Sequence, residues 1–393
     1  MNFSKLFHSP VGINLNAGTV SATPLSILEK ITSYQNAFET NPPANWLTIW
    51  PKLWNAQQKV ASFFKADPDD IFLRTNVTVA CNEFILGVEL GPGELVSTNL
   101  EYGAIHNILR LRAQNERREL RTIPLITQFK TEDEILQTVL SGLTDKTRLL
   151  LVSHVTTASG LIMPIQRIAQ ETRKRGIVLV VDGAHGPGSV PLDFSQLQDV
   201  DFYGGNLHKW MMGPKGTGFG WVPKWRQPTV HNIQAGWTTF EDIPYFDQFG
   251  NGSVFARRML QAYSFNFSSY LALADLIDFW NEVGEEKILQ RQNELKLFTR
   301  QMVESKLKFK PVHSPNPNLS ANLSTYELPV KLQESEAVSI LNIYEKTQVT
   351  INLPSINGTK HLRFSPGIWV NEKEIEEGIS KLYNFFQNYG AER

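Results

Sequence analysis

Asp182 ends the apolar run IVLVVD, and Lys209 lies 27 residues further on, in FYGGNLHKW. Around them stand His154 after LLLVS, His185 in DGAHG, and Asn206 and His208 just before the lysine. When polar residues close successive strand-like runs, an open α/β sheet gathers them beyond the carboxyl ends of its strands, where such sheets bind ligands. An Asp after one buried strand and a Lys after the next can then lie on opposite sides of one bound ring. Pyridoxal phosphate requires this pair. A carboxylate keeps the pyridine nitrogen protonated, making the ring an electron sink, while a lysine amine holds the aldehyde as a Schiff base. The phosphate needs a separate anchor. RTNVTVACNEFILGVEL puts Thr75, Asn76 and Thr78 at the start of an apolar-periodic helix, whose N–H groups and Thr78 hydroxyl suit a dianion; His208 adds a donor.

Taken singly, these residues have plainer readings. A lone His at a strand end is more often structural, and a lone Lys is ordinarily a surface charge; it is the HK pair, followed by GPKGTG and preceded by an Asp-bearing strand, that carries the chemistry. His154, Asp182, His185 and His208 also form a possible metal-ligand set, so a metal-dependent hydrolase is the rival from another class. That rival leaves Lys209, Tyr102 and the helix-start segment without a role. A protein that keeps the fold only for binding or assembly is blander still, and two charged groups at buried strand ends argue against it. The runs GAHGPG and GPKGTG lack the G-x-G-x-x-G order, and the second leads into strand-like TGFGWV, so a dinucleotide fingerprint fits poorly. Cys81 is most simply a small buried hydrophobe.

The elements that must position these side chains alternate in type. Strand patterns cover 94–98, 148–154, 177–182, 200–204 and 217–222, and helical periodicity covers 25–38, 52–65, 78–90, 104–115, 131–141 and 164–175. Runs apolar on both faces predict a mostly parallel sheet covered by helices on each side. ANWLTIWPKLW, with Trp46, Trp50 and Trp54, suits an entrance, an interface or, most simply, a core-packing helix start. A helical stretch over 268–306, broken near Gly284, precedes the loop HSPNPNLSANLS. Strand-like pieces at 324–330, 349–353 and 361–364, two helices and a final helix at 372–388 then predict a smaller α+β unit. The expected organisation is an N-terminal arm at 1–18, a large domain at 19–255 and a small domain at 256–393.

Composition narrows the function. The chain has 393 residues, 41% hydrophobic, with Lys plus Arg 38 against Asp plus Glu 39, so it carries no basic footprint for nucleic acid or anionic membranes. A single cysteine excludes an intramolecular disulfide and fits a reducing compartment. The first residues, MNFSKLFHSPVGINLN, are too interrupted by polar residues for a signal peptide, and no apolar run approaches the ~20 residues that span a bilayer. A cytoplasmic protein acting on small molecules is expected.

From LNAGTVSATP to HLRFSPGIWV the sequence resembles the class V aminotransferase branch of fold type I pyridoxal-phosphate enzymes, in particular its isopenicillin N epimerase-like members, with cysteine desulfurases as relatives. VVDGAHGPGSVPLDF followed by FYGGNLHKWMMGPKGTGFGWV is the most specific part. The resemblance implies that Lys209 holds the cofactor as a Schiff base and Asp182 pairs with the pyridine nitrogen. It implies that Tyr102 stacks on the ring, His185 contacts the phenolic oxygen and Thr157 faces the same edge. Val77, Thr78, Asn206 and His208 match phosphate-binding positions. Arg363 matches the arginine that grips the substrate α-carboxylate, supported by Asn16, Ala17 and Gly18. A homodimer with shared sites follows, because relatives present a Gly-Thr pair from the partner subunit to the phosphate.

Three departures bear on function. Desulfurases use a nucleophilic cysteine on a C-terminal loop, and Cys81 lies far upstream, so desulfuration by that route is excluded. Tyr263 and Ser264 replace the Gly-Thr pair; Ser264 can supply the hydroxyl, while Tyr263 reshapes the entrance. Asn206 stands where Ser or Thr is frequent. With Lys209 as base and Arg363 as carboxylate anchor, the fate of the Cα carbanion sets the reaction: epimerisation, transamination or β-elimination, as in a carbon–sulfur lyase. The epimerase-like reaction is the first expectation. It needs an acid on the second face, for which Tyr102, His106 and His154 are candidates.

Overall fold

The computed structural model describes residues 3–240, 252–261 and 264–390. In chain order its elements begin with β1 (Ile13–Asn14), α1 (Leu25–Glu39), α2 (Pro42–Thr48), α3 (Trp50–Phe63), β2 (Ile71–Arg74), α4 (Val77–Gly87), β3 (Glu94–Thr98), α5 (Gly103–Glu116) and β4 (Leu120–Ile123). There follow α6 (Glu132–Ser141), β5 (Thr147–Ser153), α7 (Ile165–Lys174), β6 (Val178–Gly183), β7 (Phe202–Asn206), β8 (Gly218–Trp221), α8 (Val254–Leu260), α9 (Phe267–Val283) and α10 (Glu285–Met302). The last third holds β9 (Ser324–Glu327), α11 (Val330–Glu334), α12 (Ile340–Thr347), β10 (Val349–Thr350), β11 (Ser355–Ile356), β12 (Thr359–Phe364) and α13 (Glu372–Gly390).

Seven strands form the central sheet in the order β2-β8-β7-β6-β5-β3-β4. Only β8 runs against the others, pairing antiparallel with both β7 and β2. The expected mostly parallel α/β architecture is the one observed. Its strands are buried on both faces: Leu150, Val152, Leu179 and Val181 enter one core, while Leu149, Leu151, Val178 and Val180 enter the other, with Ala80, Phe84 and Leu109 of α4 and α5. Each such side chain contributes roughly 1.5–3 kcal/mol when fully buried. The alternation fixes register, since a one-residue slip would exchange the two faces.

Two sheet strands carry no strong sequence signal. β2 is four residues, IFLR, and β4 is a half-exposed edge strand, LRTI, so neither shows the long apolar run of the central strands. The break near Gly284 is real: the glycine caps α9 at φ +94°, in the left-handed half of the map, and α10 starts at the next residue. After α8 the chain packs back on the N-terminal helices. The Tyr34 hydroxyl of α1 donates to Asp275, and Trp280 Nε1 of α9 donates to the Met211 carbonyl. The small sheet is β11-β12-β9, all antiparallel. The expected strand at 349–353 does not join it; β10 pairs parallel with β1, so the N-terminal segment and the C-terminal unit are stitched together.

Candidate active site

β6 and β7 are adjacent and parallel, with Asp182 opposite Gly204, so the residues that follow both strands emerge at one edge. Asp182 is 1% exposed, and its Oδ1 accepts from the Ala184 N–H at 2.9 Å. Burial pushes its carboxyl up, opposed by that N–H and by the Lys209 charge. Lys209 Nζ lies 3.3 Å from His185 Nε2. Its amine is pushed down to about 8 because burial outweighs the attraction of Asp182, with Arg363 adding repulsion. Burial, then the Lys209 and Arg363 charges, hold His185 well below the usual histidine range, so its ring is neutral. The Trp210 indole N–H donates to His185 Nδ1 at 3.1 Å.

The glycines of GAHG serve the layer beneath. A Cβ at Gly186 would stand 1.9 Å from the Tyr203 hydroxyl and one at Gly183 would enter the Tyr203 ring, so only glycine admits this tyrosine behind the site. That hydroxyl lies 2.8 Å from His154 Nδ1, and burial pushes His154 down to about 4. His154 is therefore neutral, and its backbone N–H donates to the Asp182 carbonyl at 2.9 Å.

The start of α4 lies where the helix-start segment predicts. Asn76 is its N-cap, accepting from Val79 N–H at 3.0 Å. The Val77 N–H is already given to Asn206 Oδ1 at 2.9 Å, so Asn206 ties the helix start to β7. Thr78 is the position of this turn whose N–H and hydroxyl remain suited to an anion. His208 Nδ1 lies 2.9 Å from the Thr217 carbonyl, which can only accept, so this nitrogen carries the proton and Nε2 is left to face a ligand.

Arg363, on β12, is 1% exposed. Nη1 donates to the Thr157 carbonyl at 2.7 Å, and Nη2 to Asn16 Oδ1 at 3.2 Å and Thr19 Oγ1 at 3.4 Å. Its Nε has no hydrogen-bond partner, and burial lowers the guanidinium to about 10. Among the described residues no carboxylate pairs with it. The N-terminal segment frames this arginine: Ala17 N–H donates to the Ser365 carbonyl and Gly18 N–H to Ser365 Oγ. A Cβ at Gly18 would stand 2.8 Å from the Leu323 side chain and 3.0 Å from Ser365 Oγ, so a larger residue would have to push these side chains aside. A cavity of about 220 Å³ opens on Arg363 and is lined also by Glu101, Tyr102, Thr157 and Asn352.

Tyr102 stands at the start of α5, 49% exposed, with its side chain free to cover a bound ring. His106 turns instead to Ser97 Oγ at 3.1 Å. Ser264 lines a different cavity, of about 470 Å³, with Tyr34, Trp46 and Phe267, and Tyr263 lies outside the described residues. Trp50 is a core residue, edge-on to Trp46 and Phe267. Among the described residues no three His, Cys, Asp or Glu side chains gather as metal ligands.

Sequence reasoning missed Glu101. Its two oxygens accept from Thr98 Oγ1 and Ser153 Oγ, both at 2.6 Å, and burial together with Asp182 pushes it up to about 8 against those hydroxyls. The signal was available: an acidic residue just beyond the strand 94–98, at the ligand-binding edge. Trp210, Thr19 and Asn352 carried no comparable signal.

A sheet with one reversed strand, a buried Asp and a Lys at its carboxyl edge, and a helix N-terminus beside them define a fold type I cofactor site. The chain belongs to the class V aminotransferase family, whose model matches residues 13–349. It is 29% identical to isopenicillin N epimerase of Streptomyces clavuligerus, over 95% of this chain and 94% of that protein. Identity to isopenicillin N epimerase of Amycolatopsis lactamdurans is 30%, over 81% of this chain and 82% of that one. In structure it is similar to a cystine C–S lyase in complex with cysteine persulfide, with a TM-score of 0.82 at 21% identity, over 95% of this chain and 97% of that one.

Proposed function

We propose that the protein is a pyridoxal-phosphate enzyme that labilises the Cα–H bond of an amino acid or amino-acid-containing small molecule, with an epimerase-like outcome. The observation that carries this reading is Arg363: a buried guanidinium with an unpartnered Nε and, among the described residues, no carboxylate paired with it, lining a cavity and close enough to Lys209 to repel its charge. Five donors in a rigid fork, three of them used, suit the α-carboxylate of a substrate.

The residues present fit the cofactor. Lys209 would hold it covalently, Asp182 would face the ring nitrogen, Tyr102 would cover the ring, and His185 and Thr157 would face its phenolic edge. Thr78 and His208 would face the phosphate, with Val77 and Asn206 fixing the helix start between them. When bound, the ring supplies an electron sink for charge developed at Cα. The protein supplies the rest: Arg363, Asn16, Ala17 and Gly18 orient the carboxylate, and Lys209, lowered to about 8, takes the proton, its uncharged form being far more abundant at neutral pH than that of an ordinary lysine. Tyr102 and Glu101 stand on the cavity wall as candidates to return a proton on the other face. The separate cavity that Ser264 lines supports a homodimer in which this residue serves the partner's site. One cysteine, fully buried and with its thiol pushed well up by burial, supports a reducing, cytoplasmic setting and no persulfide chemistry.

A second reading, elimination of a β-substituent, rests on the similarity to the cystine C–S lyase. Borohydride reduction followed by peptide mapping should place the cofactor on Lys209. Incubation of candidate amino acids in D2O should then give solvent deuterium at Cα with inversion; release of a keto acid with the β-substituent would favour elimination. Stoichiometric zinc with no adduct would overturn both readings.

A further inference from the structure

We propose that Trp210 is a positioning residue: its indole N–H fixes His185 in the tautomer that carries the proton on Nε2, aimed at Lys209 Nζ. An indole N–H can only donate, so the nitrogen it meets must present a lone pair. That nitrogen is His185 Nδ1, 3.1 Å away. A neutral imidazole has one N–H, which is then forced to Nε2, 3.3 Å from Lys209 Nζ. The opposite tautomer would set two N–H groups against each other in a place closed to water, since His185 and Trp210 are both almost fully buried.

The consequence falls on the lysine. An Nε2–H donor can be accepted only by a Lys209 nitrogen with a free lone pair, whether as the free amine or once joined to the cofactor, so the relay selects the unprotonated form; the reversed tautomer would accept from the protonated nitrogen and favour the charged form. Burial and Arg363 work in the same sense as the relay, and Asp182 works against it; His208 faces the same lysine and is itself lowered by burial and, more weakly, by the Lys209 charge. The tautomer stands on the geometry alone; its importance for proton transfer rests on the function proposed above.

The direct test is histidine 15N NMR on the full-length cofactor-loaded protein, with His185 assigned by its loss in His185→Asn. The expected pattern is an unprotonated Nδ1 and a protonated Nε2 through neutral pH. An Nδ1–H form or an imidazolium would overturn the proposal. In Trp210→Phe, the midpoint of the visible-band titration should rise by about one pH unit, a tenfold lower proton concentration, the effect of one net hydrogen bond. In a His185→Asn background the same substitution should move nothing. An equal shift in both backgrounds would make Trp210 merely structural. If Trp210→Phe does not fold, the wild-type spectrum still decides. Absence of any visible band or Lys209 adduct would instead defeat the cofactor reading, and the tautomer could still be read on the same chain.

Discussion

The Lys209 side of the site and the Arg363 side are built in opposite ways. Asp182, His185, His208 and Lys209 come from two neighbouring strands and the turns after them, within 28 residues counted from 182 to 209, and their relative placement follows from one parallel pairing. Arg363 meets Thr157 and Asn16 across separations of 206 and 347 residues. Its position depends on the pairing of β1 with β10 and on the small sheet. The first half of the site is a local product of the sheet; the second exists only when both ends of the chain have docked. Damage to the first should therefore remove chemistry, and damage to the second should remove substrate recognition.

The largest effect is expected for Lys209→Ala, which should lose the reducible adduct and at least ~10³-fold in turnover, since on the proposed reading it removes both covalent anchor and base. Turnover within tenfold of wild type would break the assignment. Next, Arg363→Ala should weaken amino-acid binding through loss of charge-assisted bonds of ~1.5–3 kcal/mol each, with cofactor binding little changed. Ligand titrations of both would show it; equal loss of cofactor and substrate would mean that the arginine only ties the two chain ends together.

Stability against pH sharpens the same contrast. Lys209 binds its proton less readily folded, about 8, than unfolded, 10.5, so between these values the unfolded chain holds more protons and stability rises with pH. Lys209→Met should raise the melting temperature of the cofactor-free protein below pH 8, with the gain fading toward pH 10.5. Glu101 behaves in reverse: pushed up from 4.5 to about 8, it contributes stability that is full below 4.5 and lost as pH rises through 8. Glu101→Gln should gain relative to wild type across that window. Melting curves at several pH values would expose either sign as wrong. The smallest effect is expected at Cys81, whose replacement by Ala should leave turnover unchanged; persulfide on Cys81 during turnover with free cysteine would contradict this.

Much of the Lys209 half was legible because strand runs and the polar residues closing them are contiguous. The five strands read from the sequence all occur in the central sheet, shifted by up to two residues, whereas β2 and β4 were missed because a short or half-exposed strand lacks a distinctive apolar period. The extended reading at 349–353 found a strand but not its partner, since pairing between β1 and β10 has no local signature. Asn206 was read as a phosphate contact, and its Oδ1 also accepts from the Val77 N–H, a detail set by how closely β7 approaches α4.

By itself the sequence determined the alternation of elements, the edge at which chemistry gathers and the Asp182–Lys209 pair, because each depends on periodicity or on a few adjacent residues. Only the tertiary structure decided which polar groups are already spoken for. Tyr203 takes His154, Trp210 takes His185 and Thr217 takes His208, while Arg363 keeps a free donor. The reason is physical: a side chain's chemistry depends on its protonation and its unused hydrogen bonds, and both are set by burial and by partners that lie far away along the chain.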